Sequence, residues 1–145
     1  MLNRINLKFT EEIVVDGGNT EELKIIEKIA EQNDSAVLMI NQNLYTDAAD
    51  FPNGILYKKW REINQQMISF VGGEILWSLS VHGQIIHYGE NRPLHEILAY
   101  WYPSHQAFLN MRDAPARKEN FVIRKDVIKY AIVHRCSGEE PPKRG

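Results

Sequence analysis

Residues 96–104 read Glu96-Ile97-Leu98-Ala99-Tyr100-Trp101-Tyr102-Pro103-Ser104. The run from Ile97 to Tyr102 is rich in residues that suit a pleated, half-buried surface, and Pro103 stops it. Successive side chains of a strand alternate between its two faces. Here Leu98, Tyr100 and Tyr102 share one face and Ile97, Ala99 and Trp101 the other, so both are apolar or aromatic. Val37-Leu38-Met39-Ile40 and Tyr130 to Val133 show the same two-sided pattern. In Glu74-Ile75-Leu76-Trp77-Ser78-Leu79-Ser80-Val81, Leu76 lies opposite Ile75, Trp77, Leu79 and Val81. A sheet made of such strands must be covered on both sides.

Helical patterns lie between these strands. Leu56, Trp60, Ile63, Met67 and Phe70 fall at i, i+4, i+7, i+11 and i+14, which predicts an amphipathic helix of four turns. Gly72-Gly73 is its natural stop, because glycine enters the left-handed region without steric cost. A loop of about ten residues, ending at Phe51-Pro52-Asn53-Gly54, separates this helix from the polar Asn41-Gln42-Asn43 that closes the first strand. Glu74 to Val81 and Gln84 to Tyr88 read as two extended stretches about a His82-Gly83 turn. Ser104 suits the N-cap of a helix carrying Ala107, Phe108 and Met111. Pro115 interrupts that helix, and a further helical turn with Phe121 and Val122 leads to a last strand, Val127 to Arg135.

Residues 35–136 thus read strand, helix, two strands, helix, strand. That order builds an α+β fold, a ferredoxin-like βαββαβ sandwich whose antiparallel sheet carries both helices on one face. The other face, with Trp101 or Tyr100 on it, would then be a large exposed apolar patch. The simplest cover is the same sheet of a second copy, giving a symmetric homodimer. Residues 1–34 form an N-terminal extension: Ile5, Leu7 and Phe9 alternate as in a strand, and Asp16-Gly17-Gly18-Asn19 marks a turn. Asn19 and Glu22 have capping-box spacing for a helix over about residues 20 to 32. Residues 137–145 are an expected disordered tail.

Composition bounds the function. The chain has 145 residues, 43% hydrophobic and 25% charged, with mean hydropathy of -0.39. One ordinary domain of this size needs no disulfide or metal staple. Seventeen basic residues against 19 acidic ones give a net charge of -2, without the footprint of a nucleic-acid binder. No apolar stretch has transmembrane length, and Met1-Leu2-Asn3-Arg4-Ile5-Asn6 lacks a signal-peptide core. Neither a nucleic acid nor a membrane is expected as a partner, and the expected location is cytoplasmic. A lone cysteine, Cys136, excludes an internal disulfide framework and a multi-cysteine zinc site.

The order of residues resembles the domain of unknown function 1330 family, in the dimeric α+β barrel superfamily. The resemblance is carried by Val37-Leu38-Met39-Ile40-Asn41, Tyr57-Lys58-Lys59-Trp60, Gly72-Gly73-Glu74-Ile75-Leu76-Trp77 and, most specifically, Glu96 through Ser104 with Phe108 and Leu109. It covers roughly residues 35–136 and implies a barrel closed by two sheets meeting face to face. It also implies a substrate pocket between sheet and helices, used without a cofactor. The stretch Arg112-Asp113-Ala114-Pro115-Ala116-Arg117 departs from the family, which often shows a tyrosine and clustered alanines there.

The chemistry-bearing residues are few. His82, His87, His95, His105 and His134 form no zinc-ligand spacing, and His134 with Cys136 is the best local pair, so no metal is expected. No Gly-x-Ser-x-Gly elbow or phosphate loop occurs. Asn41, polar at the end of an apolar strand, can hold a carbonyl or enolate oxygen; its plainer reading is a pairing with nearby backbone. His134 is the candidate general base on a strand. Tyr57, Trp60, Trp77, Tyr100 and Tyr102 can line an aromatic pocket, although aromatic sheet residues more often serve core or interface. Arg124 can bind a carboxylate bidentately. The expected function is a homodimer that binds a small organic molecule between sheet and helices and transforms it, if at all, without a cofactor. The competing reading is a non-catalytic dimerisation or sensing module.

Overall fold

The structure is a computed structural model that describes residues 17–139, so the strand expected around Ile5, Leu7 and Phe9 lies outside the described residues. Helix α1 (Thr20–Gln32) begins where the Asn19 side chain accepts from the Glu22 N–H, as the capping spacing predicts. Strand β1 (Val37–Tyr45), helix α2 (Ile55–Phe70) and strands β2 (Glu74–Ser80) and β3 (Glu96–Tyr102) follow. Then come a short helix α3 (His105–Leu109), a 3-10 turn at Asn110–Asp113, helix α4 (Arg117–Val127) and strand β4 (Ile128–Ser137). The sheet runs β2-β3-β1-β4 with every neighbouring pair antiparallel, which is the ferredoxin-like order.

Strand register assigns each side chain to a face. Val37, Met39, Asn41, Asn43 and Tyr45 of β1 sit beside Tyr102, Tyr100, Leu98 and Glu96 of β3, and all face the helices. Leu38, Ile40, Gln42 and Leu44, with Trp101, Ala99 and Ile97, form the open face. On β4 that face carries Tyr130, Ile132, His134 and Cys136. The register shifts between Ile75 and Trp77, so Ile75 pairs with Tyr100 on the helix side while Trp77 pairs with Ala99 on the open side. Alternation alone had placed Ile75 and Trp77 together; one extra residue, Leu76, turns the strand over.

Three elements differ from the pattern reading. β1 runs on through Tyr45 despite its polar Asn41-Gln42-Asn43, because a central strand paired on both sides keeps its ladder whatever its side chains. Gln84 to Tyr88 is not a strand: β2 and β3 are joined by a loop over residues 81–95, in which Tyr88 (φ 52°) and Gly89 (φ 78°) turn left-handed and break extension. α4 is an 11-residue helix rather than a turn, since Pro115 lies just ahead of it, where the missing N–H costs nothing. Gly72 does stop α2, with φ 79°.

The N-terminal helix belongs to the core. Leu23 and Ile26 of α1 pack with Met39, Ile68, Tyr100 and Tyr102 in one buried cluster. Near the other end of the chain, β4 continues through Ser137 and the Gly138 N–H donates to Ala36 O, so the start of the expected tail is paired backbone.

Asp34 locks α1 to α3. Its Oδ1 accepts from the N–H groups of Ser35 and His105, both at 2.7 Å, and its Oδ2 accepts from that of Gln106 at 3.2 Å. Burial opposes its charge, yet the backbone donors and then the His105 ring outweigh this and hold the carboxyl below its usual value. A depressed folded-state pKa adds stability above the unfolded value and loses it as pH falls through the folded one. Asp34→Ala should therefore cost about 2 kcal/mol at neutral pH. In urea unfolding at a series of pH values, that gap should narrow once pH drops below about 4.

Candidate functional site

A cavity of about 380 Å³ lies between the helix-facing side of the sheet and the helix layer. β1 contributes Met39, Asn41 and Asn43 to it, β3 contributes Tyr100 and Tyr102, and β4 contributes Ala131, Val133 and Arg135. α2 adds Trp60, Asn64 and Met67 at helical spacing, the inner edge of its apolar stripe. α4 adds Arg117, Asn120, Phe121 and Arg124, which fall at i, i+3, i+4 and i+7 and so share one face. Asn120 Nδ2 donates to Asn64 Oδ1 at 2.7 Å and ties the two helices together across the cavity roof.

The sheet side of the cavity backs onto a buried polar cluster. Glu96 is 5% exposed, and its Oε1 accepts from the hydroxyls of Tyr45 at 2.6 Å and Tyr57 at 2.7 Å. Asn43 Nδ2 in turn donates to the Tyr45 oxygen at 3.3 Å. Burial, followed by the Glu96 hydrogen bond, pushes both phenols far above their ordinary pKa. Both therefore stay protonated and act as donors. Phe51, Tyr57 and Trp60 pack around the Tyr45 ring with centroids 5.0 to 5.4 Å away. Tyr100 and Tyr102 are likewise driven up by burial; Arg61 beside Tyr100 opposes the rise and Glu96 adds to it. The Tyr100 hydroxyl and Arg61 Nη1 are buried beside each other, and Asn43 Oδ1 is buried with no hydrogen-bond partner among the described residues.

The residues singled out from sequence divide by face. Asn41, Trp60, Tyr100, Tyr102 and Arg124 meet on the cavity wall. Tyr57 lies one turn before Trp60 and spends its hydroxyl on Glu96. Trp77 and His134 stand on the open face, on the other side of the sheet from the cavity. His134 Nε2 there meets Gln42 Oε1 at 2.9 Å. Asn41 Nδ2 donates to Met39 O of its own strand at 3.2 Å, close to its plainer sequence reading, while its side chain still borders the cavity.

The other histidines have structural roles. His95 Nδ1 accepts from the Tyr45 N–H and its ring stacks on Tyr45, while His105 sits buried against Ser35 O and Asp34. Among the described residues, no three His, Cys, Asp or Glu side chains converge as metal ligands do. Sequence reasoning missed Asn64, Arg117 and Asn120. For Arg117 and Asn120 the signal was present as the i, i+3, i+7 polar face of α4, but a helix taken for one turn has no face to read; Asn64 sits on α2, beside the apolar stripe that was read there.

Sheet order, helix layer and cavity together define a ferredoxin-like α+β protein with a half-open pocket between sheet and helices. Its fold is shared with two solved structures of unknown function, both of the RPA0582 protein of Rhodopseudomonas palustris. The first matches with TM-score 0.67 and 18% identity, covering 85% of this chain and 95% of that one. The methylated form of the same protein matches with TM-score 0.67 and 19% identity, covering 86% and 95%. No family model and no curated protein sequence matches the chain.

The Glu96 cluster sets a clear expectation. Glu96→Ala leaves two buried phenols without their acceptor and should cost about 3–5 kcal/mol. Tyr57→Phe removes one donor and should cost about 1–2 kcal/mol, both read by urea unfolding with circular dichroism.

Proposed function

We propose that this chain acts as a homodimer of the α+β barrel kind and that each copy binds a small organic molecule in the cavity between its sheet and helices, with no bound cofactor. The observation that carries the reading is the cavity itself. Its volume lies in the range of small-molecule sites, and its wall is mainly apolar, interspersed with asparagine, arginine and glutamate side chains. Seven of the eight structural elements apart from the 3-10 turns contribute to that wall; β2 alone stands apart.

The dimer reading rests on the open face. Leu38, Ile40, Ile97, Trp101 and Ile132 spread across the four-stranded sheet there, and Trp77 and Leu79 on β2 are 38% and 58% exposed. A monomer seldom keeps so continuous an apolar surface in water. A second sheet of the same kind, related by a twofold axis, covers it completely, as the resemblance to the domain of unknown function 1330 family implies.

Ligand binding takes precedence over turnover on the chemistry of the wall. The tyrosines that border it are held neutral, and Glu22 is engaged by Arg135. The side chain nearest to a catalytic role is Asn41, a donor that can polarise a carbonyl without itself taking a proton. His134, on the opposite face, belongs with the dimer surface in this reading.

Two measurements test it. Light scattering on the purified chain should return twice the 16.8 kDa chain mass. Ile132→Arg should return the single-chain mass with an unchanged circular dichroism spectrum; a monomeric wild type would overturn the dimer. A thermal-shift screen of small acids, ketones and phenols should find a ligand that stabilises the fold by roughly 2.7 kcal/mol at a hundred times its dissociation constant. Ala131→Trp, which fills the cavity from β4, should abolish that shift.

A further inference from the structure

Exposed apolar side chains gather in one stretch of the chain. Among the described residues, six of the eleven exposed large apolar side chains lie between Leu76 and Tyr88. Leu76, Trp77 and Leu79 belong to β2, and Trp77 and Leu79 stand on the open face. Ile85, Ile86 and Tyr88 belong to the loop over residues 81–95 and are 100%, 70% and 94% exposed. From Val81 to Gly89 that loop contains no Asp, Glu, Lys or Arg, and its two charged residues, Glu90 and Arg92, pair with each other. Loops that stay in water are built mainly from Gly, Pro, Asn, Asp and Ser, and two isoleucines and a tyrosine do not fit that use.

The loop is a braced arm rather than a slack connection. At its base the Val81 N–H donates to His95 O at 2.9 Å, and Gln84 Nε2 donates to Arg92 O at 2.6 Å. At its tip the Glu90 N–H donates to His87 O at 2.9 Å and the Gly89 N–H to His87 Nδ1 at 3.1 Å. Tyr88 sits inside that turn with φ 52°, a backbone state that an aromatic residue rarely adopts. The arm curls around a hollow lined by Val81, Gln84, His87 and Leu94, among others, and Ile85, Ile86 and Tyr88 stand outside it. Tyr130, on the open face of β4, donates its hydroxyl to Pro93 O and ties the returning limb of the arm to that face.

We infer that this arm clasps a second copy of the chain, with Ile85, Ile86 and Tyr88 of each copy packed against the partner at the rim of the face-to-face contact. The inference rests on the dimer reading above and adds a second contact region to it. Continuity decides the occupant, because Trp77 and Leu79 lead from the open face along β2 straight into the arm. Area favours the same occupant. A stable interface covers about 800 Å² on each partner, and one buried tyrosine supplies roughly 150–250 Å² of that. An arm held in shape before contact also loses little conformational freedom on docking.

Fluorescence-detected sedimentation of the full chain over a dilution series tests this. The combined variant Ile85→Ser, Ile86→Ser, Tyr88→Ser should raise the dimer dissociation constant about thirtyfold or more, with an unchanged circular dichroism spectrum. Ile55→Ser, at a residue 88% exposed on α2, should leave that constant within about twofold. Hydrogen exchange gives a second readout: the amides of residues 84–90 should exchange more slowly in the wild-type dimer than in the Ile132→Arg single chain. If the triple variant dimerises as tightly as the wild type, or the arm amides exchange equally in dimer and single chain, the arm is overturned and the dimer reading stands. Binding of the wild type but not the triple variant to phosphatidylcholine vesicles, with dimerisation unchanged, would also overturn it and give the arm to a lipid surface. A monomeric wild type would overturn both readings.

Discussion

The structure depends on the satisfaction of one buried charge. Glu96 opens β3 almost wholly out of water, where an unpaired carboxylate would cost several kcal/mol. Two phenols answer it on the same oxygen: Tyr45 from the end of β1 and Tyr57 from the first turns of α2. The three side chains come from three elements, so meeting the hydrogen-bond requirement also fixes where α2 crosses the sheet. With α2 held there, Trp60, Asn64 and Met67 can only face inward along the cavity. Phe51 and His95 stack around Tyr45 and close the cluster from the loop side. Gly54 lets the chain turn into α2, because a Cβ there would fall 2.1 Å from the Ala49 carbonyl oxygen.

From that anchor the molecule divides into two chemically distinct halves of one sheet. The helix side alternates core packing with a cavity bordered by two arginines of α4, Arg117 and Arg124. The open side carries an apolar surface suited to another protein surface. β1 and β3 serve both halves at once, which is why neither shows the polar-apolar alternation of a sheet with one wet face. Leu76 marks the transition on the edge strand: its bulge hands Ile75 to the core and Trp77 to the open face. A single inserted residue therefore moves an indole from the helix side of the sheet to the open side.

Much of the fold was legible because its signals are local. Asn19 and Glu22 predict the start of α1, and the stripe from Leu56 to Phe70 predicts α2 almost to the residue. Gly72 predicts the stop, and Ser104 caps α3 by accepting from the Ala107 N–H. Each is a matter of spacing or backbone freedom within a few residues. The misreadings arose where tertiary pairing overrides propensity. Asn41-Gln42-Asn43 looks like a strand end but is held between β3 and β4, and Gln84 to Tyr88 looks extended but has no neighbouring strand to pair with. The candidate site was half legible for the same reason. Asn41, Trp60, Tyr100, Tyr102 and Arg124 were found as residue types suited to a pocket, whereas Trp77 and His134 were assigned to it without knowledge of which face they occupy.

The sequence by itself determined the order of elements, the ends of the principal helices and the two-sided burial of the central strands. Periodicity and capping are written in neighbouring residues and need no partner to be read. Only the tertiary structure decided that α1 joins the core, that Glu96 is the hub of the polar cluster, and that the arginines of α4 gather on one cavity wall. Those outcomes turn on contacts between residues 39 to 113 positions apart, such as Tyr57 with Glu96 and Glu22 with Arg135. No local pattern specifies such contacts, because they exist only once the chain has closed on itself.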